Sequence, residues 1–187
     1  MSGKIQKPQN FSKISGKSDF TARSIYVQGE ITDQMSRQVI SAMLRFETND
    51  HSRDIHMYID SAGGDVKAGL AIYNTMQYIS SDISTICLSK ASSMAALLLA
   101  SGTPGKRIAA VDARIRIHEP WPGRHDSHYD RGDKAIIEMM HIQHILNEIL
   151  HRHTSLPLSV IQTPDFRNCS LSAAEARAIG LIDIIRH

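Results

Sequence analysis

The chain has 187 residues, 42% apolar and 21% charged, with a formal net charge of +2. These values describe one ordinary globular domain able to bury a core without staples. They exclude a strongly basic nucleic-acid binder and a surface built for anionic membranes. No apolar run approaches the about 20 residues that span a bilayer. Lys4 and Lys7 are followed by no apolar stretch, so no signal peptide is expected. Cys87 and Cys169 do not form a disulfide framework, and a reducing cytoplasm is the expected location.

Residues 1–22 are polar and aperiodic and read as a flexible arm, followed by a single domain over 23–187. Structure is expected to begin at Arg23-Ser-Ile-Tyr-Val-Gln, a β-rich run ended by Gly29. Thr32 or Asp33 can cap a helix to about Phe46, with Met35, Val39, Ile40, Met43 and Leu44 on one face. A strand over Ile55–Ile59 runs into the turn Asp60-Ser-Ala-Gly-Gly. The helix after it carries Ala68, Ala71, Ile72, Met76 and Ile79 at helical spacing.

A third strand, Ile83–Leu88, leads through Ser89-Lys-Ala-Ser-Ser-Met into a Leu-rich helix to about Ala100. Residues 107–110 and 113–118 read as two further strands. A long helix covers 131–153, a short one 157–162, and another runs from Ser172 to a C-cap at Gly180. Leu181-Ile-Asp-Ile-Ile is the last strand. Such alternation predicts an α/β fold with helices covering a largely parallel sheet.

Three features lie at strand ends, where α/β folds place their sites. The Gly63-Gly64 turn lets backbone approach a ligand, although alone it reads as a plain turn. Ser92-Ser93-Met94 stands at a strand-to-helix junction. An isolated Ser-Ser pair there is ordinarily an N-cap. A nucleophile there would have the free N–H groups of the helix start beside its developing oxyanion. His118, in Arg116-Ile-His-Glu-Pro-Trp, is the kind of base that serine attack requires, although a lone histidine is more often structural.

Taken together, Tyr58-Ile-Asp-Ser-Ala-Gly-Gly, Ser84 to Ala96, Ile117-His-Glu-Pro, Leu171-Ser-Ala-Ala-Glu-Ala and Gly180-Leu-Ile-Asp resemble the ClpP family over about residues 25–187. These are the proteolytic subunits of ATP-dependent proteases. The resemblance implies a ClpP/crotonase-like spiral of β-β-α units with a protruding handle helix. It also implies a serine endopeptidase cleaving unfolded polypeptides inside a ring-shaped chamber. By position, Ser93 falls on the nucleophile, His118 on the general base, and Gly63 and Met94 on the backbone oxyanion donors. The triad acid position is Asn168. An amide can orient the histidine but cannot stabilise its imidazolium by charge, and Asp to Asn costs as much as ~10⁴ in kcat in a serine triad. A weak or conditional peptidase is therefore expected, with Asp165 three positions off the pattern.

The acid–Arg pair that the family uses in docking rings reads Phe166-Arg167 here, and residues 1–22 do not match its axial hairpin. The expected assembly is a homo-oligomer, heptamer or tetradecamer, or a hetero-oligomer with a typical ClpP paralogue. An AAA+ unfoldase is the expected source of any ATP dependence, because the chain has no P-loop. No cofactor, metal, nucleic acid or membrane is expected. Glu138, His141, His144, Glu148 and His151 form a stripe read as a solvated face rather than a metal site. On the handle that stripe would make ring–ring contacts and render assembly pH-sensitive. Arg131-Gly-Asp reads as a chance tripeptide. The alternatives are a regulatory subunit nearly inactive alone, and a crotonase-type acyl-CoA enzyme.

Overall fold

A computed structural model describes residues 18–19, 21–118 and 133–187. The rest of the expected arm and the loop holding Trp121 and Arg131-Gly lie outside them. The frame is a run of parallel strands, of which the first three are each followed by a helix. β2 (Ser24–Ile31), β3 (Ile55–Gly64), β4 (Ile83–Ser92) and β5 (Arg107–Ala110) pair in that order, all parallel, and β8 (Ile184–Arg186) adds parallel to β5. α1 (Asp33–Asn49), α2 (Val66–Tyr78) and α3 (Met94–Ala100) fill the crossovers. β6 (Arg114–Arg116) pairs parallel with the end of β4, and β7 (Ser170–Ser172) pairs antiparallel with β6. This is the mixed α/β architecture expected, in an eight-stranded sheet. The two-residue β1 (Ser18–Asp19), within the expected arm, pairs antiparallel with β2.

The buried strands carry β-branched and apolar side chains, with Ile25, Val27, Ile55, Met57 and Ile59 fully enclosed. α1 is set at its start by Thr32, whose hydroxyl accepts from Met35 N–H. It buries Met35, Val39, Met43 and Phe46. Asp65 caps α2 by accepting from Ala68 N–H at 2.7 Å. α3 is buried along its whole length, which explains why all of its residues are apolar.

Three strands are longer than expected, because their ladders continue past a register shift. Gly29, Gly63 and Gly64 do not end their strands. β2 continues to Ile31 through a register shift between Gln28 and Glu30, where Gly29 takes φ 84°. The expected turn at Asp60–Gly64 is instead the second half of β3, with Gly63 opposite Glu30 and Gly64 opposite Ile31. β4 likewise extends to Ser92 past a shift opposite Ile59 and Ser61.

The C-terminal third adds α4 (Asp133–His153), α5 (Leu158–Ile161), α6 (Pro164–Arg167) and α7 (Ala173–Ala178). Leu146, Ile149 and Leu150 bury the C-terminal half of α4, whereas Ile136, Ile137 and Met140 near its start are exposed. The N-terminal half of the helix is therefore exposed where its C-terminal half is packed. Its C-terminus is held by Arg107, whose guanidinium donates to His153 O at 2.5 Å and pairs with Asp183. α6 and β7 were not expected. α6 starts at Thr163, whose hydroxyl accepts from Phe166 N–H, with Pro164 at the first helical position.

Candidate active site

β4 delivers Ser93 to the site and α3 departs from it. Ser93 has φ 56° and ψ −127°, and only it and Arg23 among the described non-glycine residues have positive φ. That conformation costs on the order of 1–3 kcal/mol and persists only where its surroundings impose it. They do so here: Ser93 N–H donates to Arg116 O at 2.8 Å, and Ser93 O accepts from Ala96 and Leu97 N–H. The N–H of Met94, first residue of α3, has no intrahelical acceptor. A sharp strand-to-helix turn with a strained serine at its apex presents the hydroxyl clear of the sheet. The Ser93 side chain makes no capping bond to α3, so the N-cap role open to a Ser-Ser pair is not the one it plays.

Gly63 lies directly against this turn. A Cβ there would stand 2.7 Å from Ser92 O and 2.7 Å from Ser93 Cβ, and Gly63 has φ +93°. Only glycine lets β3 approach so closely. Its N–H, however, donates to Ser61 Oγ at 3.0 Å, and Ser61 Oγ in turn donates to Gly29 O at 2.5 Å. In this conformation Gly63 supplies proximity, and its expected role as an open N–H donor is taken up by Ser61. Among the described residues no hydrogen bond engages the Met94 N–H.

His118 follows β6. Ser93 and His118 line one cavity, closed by Met94 on one side, by Asn147 of α4 and by Phe166 and Arg167 of α6. Asn168 caps the end of α6 and is solvent-exposed, outside the cavity wall. The β6–β7 ladder runs toward both residues: Arg116 pairs with Ser170 and Ile117 N–H donates to Cys169 O at 3.0 Å, so His118 and Asn168 each follow the last bonded rung of their strand. Asp165 is exposed at the start of α6 and likewise does not line the cavity.

The two thiols are poorly suited to nucleophilic work. Burial pushes Cys87 up to about 12 and also raises Cys169. Among the described residues no group of three or more His, Cys, Asp or Glu is placed to hold a metal. On the α4 stripe His141 and His144 are exposed, and Glu138 pairs with Lys67 at 3.2 Å. No helix among the described residues is long and apolar enough to cross a membrane.

Sequence reasoning missed Gln143, Asn147, Phe166 and Arg167 as cavity walls. One signal was available: Asn147 interrupts the apolar run Leu146, Ile149, Leu150 on the buried face of α4. The Clp protease family model matches residues 9–187, spanning every element that builds this site. The strained serine, the histidine that lines its cavity and the strand order around them thus sit in a chain that belongs to the Clp protease family.

Proposed function

We propose that this chain is a serine endopeptidase subunit in which Ser93 attacks the scissile carbonyl and His118 takes the hydroxyl proton. His118 then returns that proton to the leaving amine. The observation that carries the reading is the strained backbone of Ser93, which lifts its hydroxyl at a strand–helix turn into the cavity that His118 also lines. The oxyanion would be held first by Met94 N–H at the start of α3. Gly63 keeps β3 close enough to shape that hole. Its own N–H would contribute only if the carbonyl oxygen displaced the Ser61 hydroxyl.

Asn168 is assigned to orient His118, supported by the β6–β7 register. An amide there leaves the imidazolium without a compensating charge, so turnover is expected to be slow or conditional. The substrates are unfolded polypeptides in the chamber of a ring, a homo-oligomer or a hetero-oligomer with a ClpP paralogue, fed by an AAA+ unfoldase in the cytoplasm. The second reading, a regulatory subunit activated by its paralogue, is favoured by the exposure of Asn168 and its absence from the cavity wall. A crotonase-type acyl-CoA reaction needs no Ser-His pair, and the convergence of Ser93 and His118 on one cavity speaks against it.

The test is to incubate the purified chain with a fluorophosphonate probe and a fluorogenic peptide, alone and mixed with a typical paralogue. Modification of Ser93 in the chain alone supports the peptidase. Modification only in the mixture supports the regulatory subunit. No modification in either removes the peptidase reading.

A further inference from the structure

We propose that Asn147, steadied by Gln143, determines specificity by binding a neutral carbonyl acceptor at the tip of the substrate side chain preceding the scissile bond, with glutamine the natural match. This rests on the peptidase reading above. Asn147 is 3% exposed and breaks an apolar helix face. Other buried hydroxyls are spent on backbone within their own elements or neighbours: Ser36 donates to Ala68 O, Thr85 to Leu99 O and Ser101 to Leu97 O. Asn147 differs. Its Oδ1 accepts from Gln143 Nε2 at 2.8 Å, and no bond within the described residues uses its amide N–H groups. That nitrogen is not sealed in the core, and Asn147 lines the same cavity as Ser93 and His118.

A donor facing a largely apolar pocket leaves a desolvation cost that an acceptor removes. Apolar side chains, Met94, Leu97, Ile117 and Phe166 among them, make most of the remaining wall, which suits the aliphatic stem of a long side chain. The apolar part of that wall disfavours a carboxylate, because desolvating a charge costs far more than desolvating an amide, and Arg167 on the α6 side is the group that would offset that cost. Gln143 holds the Asn147 carbonyl and so leaves its N–H groups for another acceptor. Sites built to hydrogen-bond a substrate group discriminate strongly against isosteres that lack it.

The experiment measures kcat/KM for three fluorogenic peptides that differ only in Gln, Leu or Glu before the scissile bond. The variants are Asn147→Leu and Gln143→Leu, and each protein is also labelled with fluorophosphonate at Ser93. Asn147→Leu should lower the Gln-over-Leu preference about tenfold, with fluorophosphonate labelling reporting whether Ser93 is still reactive. Gln143→Leu, at a partly exposed position, should lower it a few-fold, and it carries the test if Asn147→Leu does not fold. An unchanged preference, an equal loss for both peptides, or cleavage after Glu faster than after Gln would overturn the inference; the last would point to Arg167. Failure of the unsubstituted protein to label, alone and with a paralogue, would remove the peptidase reading and this inference with it. Labelling with an unchanged preference removes this inference only.

Discussion

Replacing Gly63 by alanine tests the close approach of β3 to the nucleophile. Two costs arise. Positive φ costs a non-glycine residue about 1–2 kcal/mol. The new Cβ would also sit 2.7 Å from Ser92 O and 2.7 Å from Ser93 Cβ. Ser92 O is backbone and cannot rotate away, so relief requires moving β3 or the turn, an overpacking cost of about 1–3 kcal/mol. The total is about 2–5 kcal/mol. Gly29 provides the control, because it has φ +84° and nothing within 4 Å of its Cβ position. Gly29→Ala should therefore cost only the backbone part. At about 2–4 °C per kcal/mol for a chain of this size, Gly63→Ala should melt about 2–12 °C below Gly29→Ala. Differential scanning calorimetry reads the gap, and fluorophosphonate labelling reads the displacement of Ser93. Equal melting points for the two variants, with labelling of Ser93 intact in both, would refute the argument.

Ser93→Gly should unfold about 1–2 kcal/mol later than Ser93→Ala, because glycine accepts φ 56° without strain; chemical denaturation of the pair settles it, and equal stabilities would mean the strain is absent. Asn168→Asp should raise peptide hydrolysis at least tenfold by supplying charge behind His118, and an unchanged rate would remove Asn168 from the mechanism. Asp183→Asn breaks the pair with the largely buried Arg107, whose guanidinium also holds the end of α4, and should destabilise by about 2–4 kcal/mol in urea unfolding. Burial, with the Arg107 and Arg152 charges, lowers His153 from 6.5 to about 4, so it stays neutral when folded. The unfolded chain binds that proton first, and stability should fall as pH drops from 6.5 toward about 4. After discounting for partial exposure the loss is roughly 1–2 kcal/mol. His153→Gln should flatten that part of a melting-versus-pH curve, and parallel curves would contradict it.

The long elements were legible because their signals are local. α1 announces itself through Thr32 and the spacing of Met35, Val39 and Met43, and the core strands through runs such as Ile55-His-Met-Tyr-Ile. Glycine was the recurrent source of error. Read locally, Gly29 and Gly63 end strands; in the sheet they sit within strands, because neighbouring strands complete the ladder across the shift. α6 and β7 are too short to carry a period, although Thr163-Pro164 held a usable start signal.

The site divides the same way. Ser93, His118 and Asn168 could be singled out from residue type and motif order, which a linear chain carries. Three things could not. The backbone of Ser93 is set by a bond to Arg116, a residue of β6. The N–H of Gly63 is directed by the Ser61 hydroxyl, so which amide stays open depends on side-chain packing. Asn147 becomes a cavity wall only because α4 folds back over α3. Sequence by itself determined the residue types and their order, hence the family and the chemistry available. Tertiary structure decided which donors remain unspent around Ser93, because hydrogen bonds between distant segments form only once the sheet has brought them together.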